Sequence, residues 1–296
     1  MNDRYLAELQ SVHKRFGKVI ALDGLDLHAK SGELLAVLGP NGAGKTTAIS
    51  IMLGLQQPDK GSAYLFGQSP LVCAARRETG VMMQEVYLAP ELRVREHIDL
   101  VASYYPDPMP VDEAIELAQI KSLANRSYGK LSTGQKRQAQ FAIAICGRPK
   151  LLFLDEPTAG LDIQARETMW AMLRRIIQSG SSIILTTHYL EEAEALADRV
   201  AVLAKGRLIA SGTVEEIRAF VARKRITCHT ILPIEQIQAW PEVERVTRNQ
   251  NHLQIVTGDA EDVVRRLLAM DETVRDLEVH RAGLAEAFTE LTREAA

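Results

Sequence analysis

The segment GPNGAGKT, residues 39–46, combines closely spaced glycines with a lysine and a threonine. It fits the pattern GxxxxGK[ST], in which backbone N–H groups and a lysine surround a chain of phosphates. An apolar run at Leu34–Leu38 precedes it and a helical pattern at Ala48–Leu55 follows it, which is the strand-loop-helix context that such a loop requires. The segment is therefore predicted to bind the phosphates of a nucleotide.

Individual residues of this loop have distinct predicted contributions. Gly42 and Gly44 allow the backbone to turn its N–H groups inward, and the helix that follows adds the partial positive charge of its N-terminus. Lys45 can reach the β- and γ-phosphates, and the Thr46 hydroxyl can ligate Mg²⁺. By itself the loop suits a kinase, a GTPase, a helicase or a transporter motor, although the absence of an NKxD-type guanine-binding motif weakens the GTPase option.

Two adjacent carboxylates end a second apolar run, in LLFLDEPTAGLD at residues 151–162. Open α/β sheets bind their ligands at the carboxyl ends of the strands. Asp155 is therefore predicted to hold Mg²⁺ directly or through water, and Glu156 to orient or deprotonate the water that attacks the γ-phosphate. The alternative interpretation is that the acids and Pro157 only terminate the strand.

A histidine ends a third apolar run, in SSIILTTHYLEEAE, at His188. Because Gly39, the Asp155–Glu156 pair and His188 all follow predicted parallel strands, we expect them to converge on one crevice. A histidine at a strand end is often structural, but here its ring could contact the γ-phosphate and the attacking water. The remaining histidines considered are interpreted as surface or structural residues: His28, His97, His229 and His252.

The segment LSTGQKRQ, residues 131–138, begins a predicted helix and contains no catalytic acid, base or nucleophile. Ser132 can cap the helix, Gly134 permits a close backbone approach, and the helix N-terminus favours an anion. Taken alone, the segment would be interpreted as an ordinary helix cap. A chain that binds one nucleotide through residues 39–46 would not need it.

The apolar pattern predicts a mainly parallel α/β sheet for most of the chain. Alternating stretches between Leu6 and Leu27 indicate antiparallel strands, whereas Leu34–Leu38 and the buried runs below alternate with helical patterns. The further expected elements are strands at Leu151–Leu154 and Ile183–Leu185, helices at Gln135–Cys146 and Ala165–Gln178, and a hairpin formed by Val200–Ala204 and Leu208–Ala210.

The spacing of the apolar residues changes after a charged helical stretch at 215–225, and this change places a predicted domain boundary near residue 222. The expected domains are 1–221 and 222–296, the second a small α+β unit. Its expected segments are Ile226–Leu232, Ile234–Ala239, Val243–Thr247, a turn at Asn249–Asn251, His252–Thr257, a helix at Asp259–Met270, a strand at Val274–Val279 and a helix at Leu284–Leu291.

Composition excludes several classes of protein. With 46% hydrophobic and 25% charged residues and a formal net charge of -3, the 296-residue chain resembles an ordinary globular protein and gives no reason to expect a nucleic-acid partner. Its three cysteines lack a CxxC spacing, which predicts reduced thiols in a cytosolic protein without zinc. The first residues do not resemble a signal peptide, and no apolar run approaches the ~20 residues of a spanning helix, so we expect any membrane role to depend on a partner.

Six motifs together resemble the nucleotide-binding subunit of an ABC transporter: GPNGAGKTT, Gln84 in GVMMQE, LSTGQ, LLFLDEP, AGLD and His188 in LTTHYLEEA. The resemblance covers about residues 4–220. It implies an α/β P-loop ATPase cassette with a mainly parallel sheet, an antiparallel β subdomain and a helical signature subdomain. The tail, which ends in DLEVHRAGLAEAFTELT, resembles the accessory domain of the drug- and antibiotic-export branch, and its role could be packing, dimerisation or regulation.

The resemblance implies ATP and Mg²⁺ as cofactors and a homodimer as the working unit. In the family, the signature segment caps the ATP bound to the other subunit, so two cassettes close head to tail around two nucleotides. By resemblance, the catalytic residues are Glu156, His188, Gln84 and Asp162, and the metal-binding residues are Thr46, Gln84 and Asp155. The implied nucleotide contacts are Phe16, Gly39, Pro40, Asn41, Gly42, Ala43, Gly44, Lys45, Thr46, Thr47, Ser132, Gly134 and Gln135.

Two positions depart from the family pattern. Phe16, expected to stack on adenine, replaces the commoner tyrosine, and Thr133 replaces a glycine of the signature segment. The first change preserves stacking, whereas the second adds a β-branched side chain to a crowded loop. The presence of Glu156 and His188 argues against a cassette that has lost hydrolysis.

Two functions follow from the resemblance. The favoured hypothesis is the ATPase of an exporter whose transmembrane permease is a separate chain, with this chain attached peripherally at the cytoplasmic face of the membrane. The alternative is a soluble ABC-type ATPase switch, which usually has two cassettes or a long coiled-coil insertion. Docking of the permease is predicted at Val86–His97, through the apolar residues Tyr87, Leu88, Leu92 and Val94.

Overall fold

The structure is a computed structural model, and it describes residues 5–219, 224–249, 252–281 and 284–294. Contacts within the chain divide it into two compact units, the first ending at Val214 and the second running from Glu215 to Glu294. The boundary predicted near 222 lies outside the described residues and stays a prediction.

The first unit alternates strands and helices. Its strands are β1 (Ala7–Phe16), β2 (Val19–Ala29), β3 (Leu34–Leu38), β4 (Lys60–Leu65), β5 (Thr79–Met82), β6 (Leu151–Asp155), β7 (Ser182–Thr187), β8 (Arg199–Ala204) and β9 (Arg207–Gly212). Its helices are α1 (Lys45–Met52), α2 (Cys73–Arg76), α3 (Val94–Ala102), α4 (Val111–Leu117), a 3₁₀ turn at Tyr128–Lys130, α5 (Thr133–Ile145), α6 (Ile163–Gln178) and α7 (Leu190–Leu196).

A six-stranded sheet in the order β5-β6-β7-β3-β8-β9 forms the centre of this unit. All neighbouring strands are parallel except β8 and β9, which form the expected antiparallel hairpin. Every residue of β3, β6 and β7 is buried, because helices cover both faces of a parallel sheet and the strands must be apolar throughout. The adjacent carboxyl ends of these three strands therefore create the edge at which a site can form.

A separate antiparallel sheet has the order β2-β1-β4, so the predicted antiparallel β subdomain is confirmed. The sequence did not predict β4 or β5. The residues of β4 are mostly exposed or half-buried, and β5 has only four residues, so neither shows the apolar pattern of a strand. Both depend on pairing with strands that are distant in sequence.

The second unit is α+β, as the sequence predicts. Its elements are β10 (Lys224–His229), α9 (Ile234–Gln238), β11 (Val243–Asn249), β12 (His252–Thr257), α10 (Ala260–Met270), β13 (Arg275–Arg281) and α11 (Leu284–Glu294), preceded by α8 (Val214–Ala219) at the division. The antiparallel sheet has the order β11-β12-β10-β13, which is that of a split βαβ motif.

Two sequence-based expectations for this unit are met only in part among the described residues. The charged stretch predicted as a helix to Arg225 is helical only through Ala219 among the described residues, and Lys224 and Arg225 belong to β10. Ile226 and Cys228 are buried on one face, as in a strand, and this packing outweighs the helix propensity of the charged residues before them. Of the turn predicted at Asn249–Asn251, the last two residues lie outside the described residues.

Within the described ranges no helix is both long and apolar enough to cross a membrane.

The three cysteines are free thiols that differ in exposure, and this difference should be visible chemically. Cys73 is exposed, whereas Cys146 and Cys228 are buried, and burial raises the pKa of Cys146 to about 11 and also raises that of Cys228. Because the thiolate is the reactive form, we expect Ellman's reagent to modify Cys73 rapidly in the native chain and all three cysteines only in denaturant. The absorbance of the released thionitrobenzoate measures both steps, with Cys73→Ser as the control. Rapid native reaction in that variant would contradict the assignment.

Candidate nucleotide site

The glycine-rich loop at residues 39–46 connects β3 to α1 and packs closely against its surroundings. Gly44 adopts a φ of +104°, and a Cβ on it would lie 2.5 Å from the carbonyl oxygen of Ala21 and 2.7 Å from Cδ2 of Leu22. A Cβ on Gly39 would lie 2.6 Å from the carbonyl oxygen of Leu203. Only glycine fits at these two positions, and the loop can therefore pack this closely against β2 and β8 at the N-terminus of α1.

Lys45 begins α1, and its ammonium group lies inside the loop. The side chain is buried, and Nζ donates to the carbonyl oxygens of Gly39 at 2.7 Å and Pro40 at 3.3 Å. The same nitrogen lies 3.8 Å from Oε1 of Glu156. Burial lowers the pKa of Lys45, and the negative charges of Glu156 and Asp155 oppose that shift. A lysine in this position can bind a phosphate that enters the loop.

Asp155 is fully buried at the end of β6 and joins the loop to the neighbouring strand. Its Oδ2 accepts a hydrogen bond from the Thr46 hydroxyl at 2.9 Å, and its Oδ1 accepts one from the Thr186 hydroxyl. A hydroxyl oxygen and a carboxylate oxygen are ligands that Mg²⁺ prefers, and this ion usually binds one or two carboxylates together with substrate phosphates. Thr46 and Asp155 therefore fit the metal that the sequence implies.

Glu156 follows Asp155 in a backbone conformation that non-glycine residues rarely adopt. Its φ is +50°, and its N–H donates to the carbonyl oxygen of Thr186 at 3.1 Å and to the Thr186 hydroxyl at 3.2 Å. Such a conformation costs roughly 1–3 kcal/mol and persists where neighbouring contacts enforce it, often at functional sites. The turn directs the carboxylate toward Lys45 and toward His188, whose Nδ1 lies 3.0 Å from Oε2.

The residues at the three strand ends thus lie together, as the sequence led us to expect. Lys45 and Glu156 are buried, whereas the side chain of His188 is 40% exposed and marks the open side of the cluster. A phosphate in the loop would meet the lysine from one direction and the carboxylate and imidazole from another. The arrangement can bind a nucleotide phosphate and orient a water molecule beside it.

Other predicted site residues occupy separate positions within the chain. Phe16, at the end of β1, is 46% exposed with the Lys14 ammonium 5.6 Å from its ring centre. Gln84 is exposed just after β5. Asp162 caps α6, because its Oδ1 accepts from the Ala165 N–H at 2.8 Å.

The signature segment forms the start of α5. The Ser132 hydroxyl accepts from the Gln135 N–H at 3.3 Å, and the Ser132 N–H donates to Oε1 of Gln135 at 3.1 Å, which is a capping box. Ser132 and Thr133 are exposed, and Gly134 is half-buried. Within the part of the chain that the structure describes, the hydrogen bonds of Ser132 and Gln135 do not reach the loop at 39–46. The helix N-terminus is thus formed and open to an external group.

Sequence reasoning missed two residues beside this cluster, Thr186 and Glu192. Thr186 is a hydroxyl residue in the otherwise apolar strand β7, and that contrast was an available signal. Glu192 lies in the charged run LEEAE, which resembles an exposed first helical turn, so its complete burial could not be read from the sequence.

Part of the predicted docking segment is core. Val94 is 0% exposed and His97 is 3% exposed, because α3 begins at Val94 and directs both side chains inward. Leu88 and Leu92 are partly buried, whereas Tyr87 is 93% exposed. The surface feature here is an open groove of about 580 Å³, bounded by the segment from Gln84 to Leu88 on one side and by Thr133, Lys136 and Gln140 on the other. The prediction was wrong for Val94, which is core and does not line the groove.

Comparisons with known proteins agree with this geometry. A model of the ABC transporter family matches residues 22–159. The Nod factor export ATP-binding protein I of Burkholderia thailandensis is 42% identical over 214 residues, 69% of this chain and 70% of that protein. The protein of the same name from Paraburkholderia xenovorans is 36% identical over 301 residues, 96% of each chain.

Solved structures extend the agreement to the fold. An ATP-binding subunit of an ABC transporter has a TM-score of 0.66 at 27% identity and covers 73% of this chain and 92% of its own. A dimeric ATP-binding cassette in a post-hydrolysis state, bound to ADP and Pi, has a TM-score of 0.64 at 25% identity and covers 70% of this chain and 98% of its own. Because a relative matches nearly the whole chain in sequence and solved cassettes match about 70% of it in structure, the chain belongs to the ATP-binding subunits of ABC transporters, which are ATPases.

Proposed function

We propose that this chain hydrolyses ATP with Mg²⁺ as one half of a head-to-tail dimer and thereby drives export through a separate membrane subunit. The observation that carries the proposal is the contact of Glu156 with both Lys45 and His188 at the mouth of the glycine-rich loop. It brings a phosphate-binding cation and a candidate general base to the same point. The E156Q experiment described in the Discussion tests it.

Each residue of the cluster has a role that its position supports. Lys45 offsets negative charge on the β- and γ-phosphates, and the loop N–H groups add further donors. Glu156 orients the attacking water and accepts its proton, while His188 holds the carboxylate and contacts the γ-phosphate from the open side. Thr46 and Asp155, with Gln84, would hold Mg²⁺, which would neutralise negative charge on the nucleotide phosphates.

The dimer accounts for the position of the signature segment. Ser132 and Gly134 begin a capped helix whose N-terminus is available to a phosphate of a second chain. The dimeric neighbour bound to ADP and Pi supports this arrangement. We assign to Ser132, Gly134 and Gln135 a contact with the ATP bound to the partner, and to Phe16 stacking on the adenine. We assign to Asp162, which caps α6, communication across the dimer.

The direction of transport is proposed from the relatives. Those named above are Nod factor export proteins, and one of them matches 96% of this chain, including the second unit. We therefore propose export, with this chain peripheral on the cytoplasmic face of the membrane and the substrate chosen by the membrane subunit. The groove beside Gln84 favours this proposal over a switch without a membrane partner, because it offers a binding surface next to the site.

Docking at this groove is testable by placing charge on its apolar rim. The double variant Tyr87→Asp/Leu88→Asp is expected to fold and to bind ATP, because Tyr87 is exposed and the nucleotide residues lie elsewhere. Carboxylates facing an apolar helix of the permease would lose their hydration without a partner, so recovery with permease-containing membranes should be lost. Co-sedimentation with membranes from cells that co-express the membrane subunit measures the effect.

A matched control is Leu55→Asp, which adds a carboxylate at a 60% exposed leucine outside this groove. It should co-sediment like the wild type. If the double variant also co-sediments at the wild-type level, the groove is not the docking site, and the assignment of the ATP site is unaffected.

A further inference from the structure

A buried carboxylic acid lies beside the hydrolytic residues, and the roles assigned above do not involve it. Glu192 is in the first turn of α7, which follows His188, and it is 0% exposed. Its Oε1 accepts a hydrogen bond from Nε1 of Trp170 on α6 at 3.1 Å. A carboxyl group is rarely fully buried unless its surroundings provide partners for it.

Two threonine hydroxyls face the same carboxyl group, and each belongs to a segment that carries a hydrolytic residue. Thr187 directly precedes His188, and Thr158 lies shortly after Glu156. The Thr187 hydroxyl oxygen accepts from the Tyr189 N–H at 2.9 Å, which leaves its own hydrogen available for Glu192. Glu192 therefore lies between the two strand-end segments that present Glu156 and His188.

The contact with Thr158 is close but incomplete. Thr158 is 0% exposed, and neither its hydroxyl oxygen nor Oε2 of Glu192 has a hydrogen-bond partner among the residues that the structure describes. Unpaired buried polar atoms are destabilising, and these two belong to the segments that follow Glu156 and His188.

The charged and polar groups around Glu192 are consistent with a carboxyl group that holds these two segments together. Burial raises the pKa of Glu192, while the nearby Thr187, Thr158 and Trp170 side chains and the charge of Arg166 act in the opposite direction. Arg166 also lies 4.6 Å from the ring centre of Tyr189, which neighbours His188. Helix α6 thus contacts the histidine segment through two side chains, Arg166 at Tyr189 and Trp170 at Glu192.

We propose that Glu192 is a positioning residue for hydrolysis, which sets the separation of Glu156 and His188 by holding Thr158, Thr187 and Trp170 around one carboxyl group. The inference rests on the proposed function of Glu156 and His188. It differs from a helix-capping role, in which a first-turn carboxylate stabilises α7 without influencing its neighbours.

The test compares Glu192→Ala with Glu192→Gln in the full chain, measuring kcat and KM for ATP and, separately, nucleotide binding. The alanine variant is expected to lose up to about 10²-fold in kcat with little change in KM, because misplacement of reacting groups by ~1 Å can cost that much. Nucleotide binding should stay at the wild-type level, because the loop residues that bind the phosphates are unchanged. The glutamine variant keeps an acceptor for Trp170 and should recover most of kcat.

Controls separate this role from simple stabilisation. Glu191→Gln alters the adjacent carboxylate, whose side chain is 79% exposed, and should behave as the wild type. If Glu192→Ala does not fold, Thr158→Val removes one hydroxyl from the same cluster and should lower kcat with little change in KM. Wild-type kcat in Glu192→Ala, or in Thr158→Val where the alanine variant is unfolded, would overturn the proposal, as would a loss of kcat that Glu192→Gln does not restore. If Glu156→Gln had the same kcat as the wild type, the proposed function of the site itself would be refuted instead.

Discussion

Glutamine at position 156 is expected to slow ATP hydrolysis by roughly 10²–10⁴-fold, the usual effect of losing a general base. The amide keeps the shape of the carboxylate, and the backbone bonds from Glu156 N–H to Thr186 are unchanged, so the strained turn should persist. Lys45, Thr46 and the loop glycines are also unchanged, and ATP binding should remain. Because the nucleotide is bound but not hydrolysed, the variant should accumulate as an ATP-bound dimer.

Phosphate release measures hydrolysis, and light scattering with and without ATP measures the dimer. Glu167→Gln is the matched control, because it neutralises an exposed carboxylate on α6 outside the contacts described above. Wild-type phosphate release by Glu156→Gln would show that another group activates the water. Weak ATP binding by this variant would show that the carboxylate has a binding role.

Aspartate at position 134 is expected to abolish ATP-dependent dimerisation and hydrolysis while monomers still bind ATP. A Cβ on Gly134 would meet only Cδ2 of Leu161 at 3.4 Å, and an acidic residue is favourable in the first turn of a helix, so the chain should fold. In a head-to-tail dimer the new carboxylate would face the γ-phosphate bound to the partner. A carboxylate and a phosphate carry charges of the same sign, and they repel strongly when they face each other in a site from which water is excluded.

The measurement combines calorimetric ATP binding at low protein concentration with dimer formation in the Glu156→Gln background. Gly134→Ala adds the Cβ without the charge, so the difference between the two variants isolates the repulsion. Lys45→Ala should give the opposite pattern and weaken ATP binding by the monomer itself. A large loss of monomer affinity in Gly134→Asp would mean that the signature segment binds nucleotide within its own chain.

Much of the ATP site could be predicted because its chemistry is local in sequence. The loop at 39–46 needs glycines, a lysine and a threonine within a short segment, and β3 before it is a continuous apolar run. Asp155, Glu156 and His188 follow runs of the same kind, and parallel strands buried on both faces are recognisable by composition alone. Adjacent strand ends then bring these residues together without further information.

What could not be predicted depends on partners distant in the chain. The strands β4 and β5 lack a distinctive pattern and form because β1 and β6 offer hydrogen bonds. Val94 looked like part of a surface because apolar and charged residues alternate around it, and only the direction of α3 shows that it is core. Lys224 and Arg225 looked helical and are in a strand, because pairing with β12 and β13 outweighs local propensity.

The sequence by itself determined the kind of chemistry, the family and the parallel cassette, because glycines, charged residues and apolar runs at those spacings suit few other structures. The tertiary structure alone decided how the hydrolytic residues are held: the left-handed turn at Glu156, the hydroxyl of Thr186 on Asp155, and the buried carboxyl of Glu192 between two strand ends. Burial and hydrogen-bond geometry here arise from residues 22 to 31 positions apart in the chain, and a linear pattern does not record them.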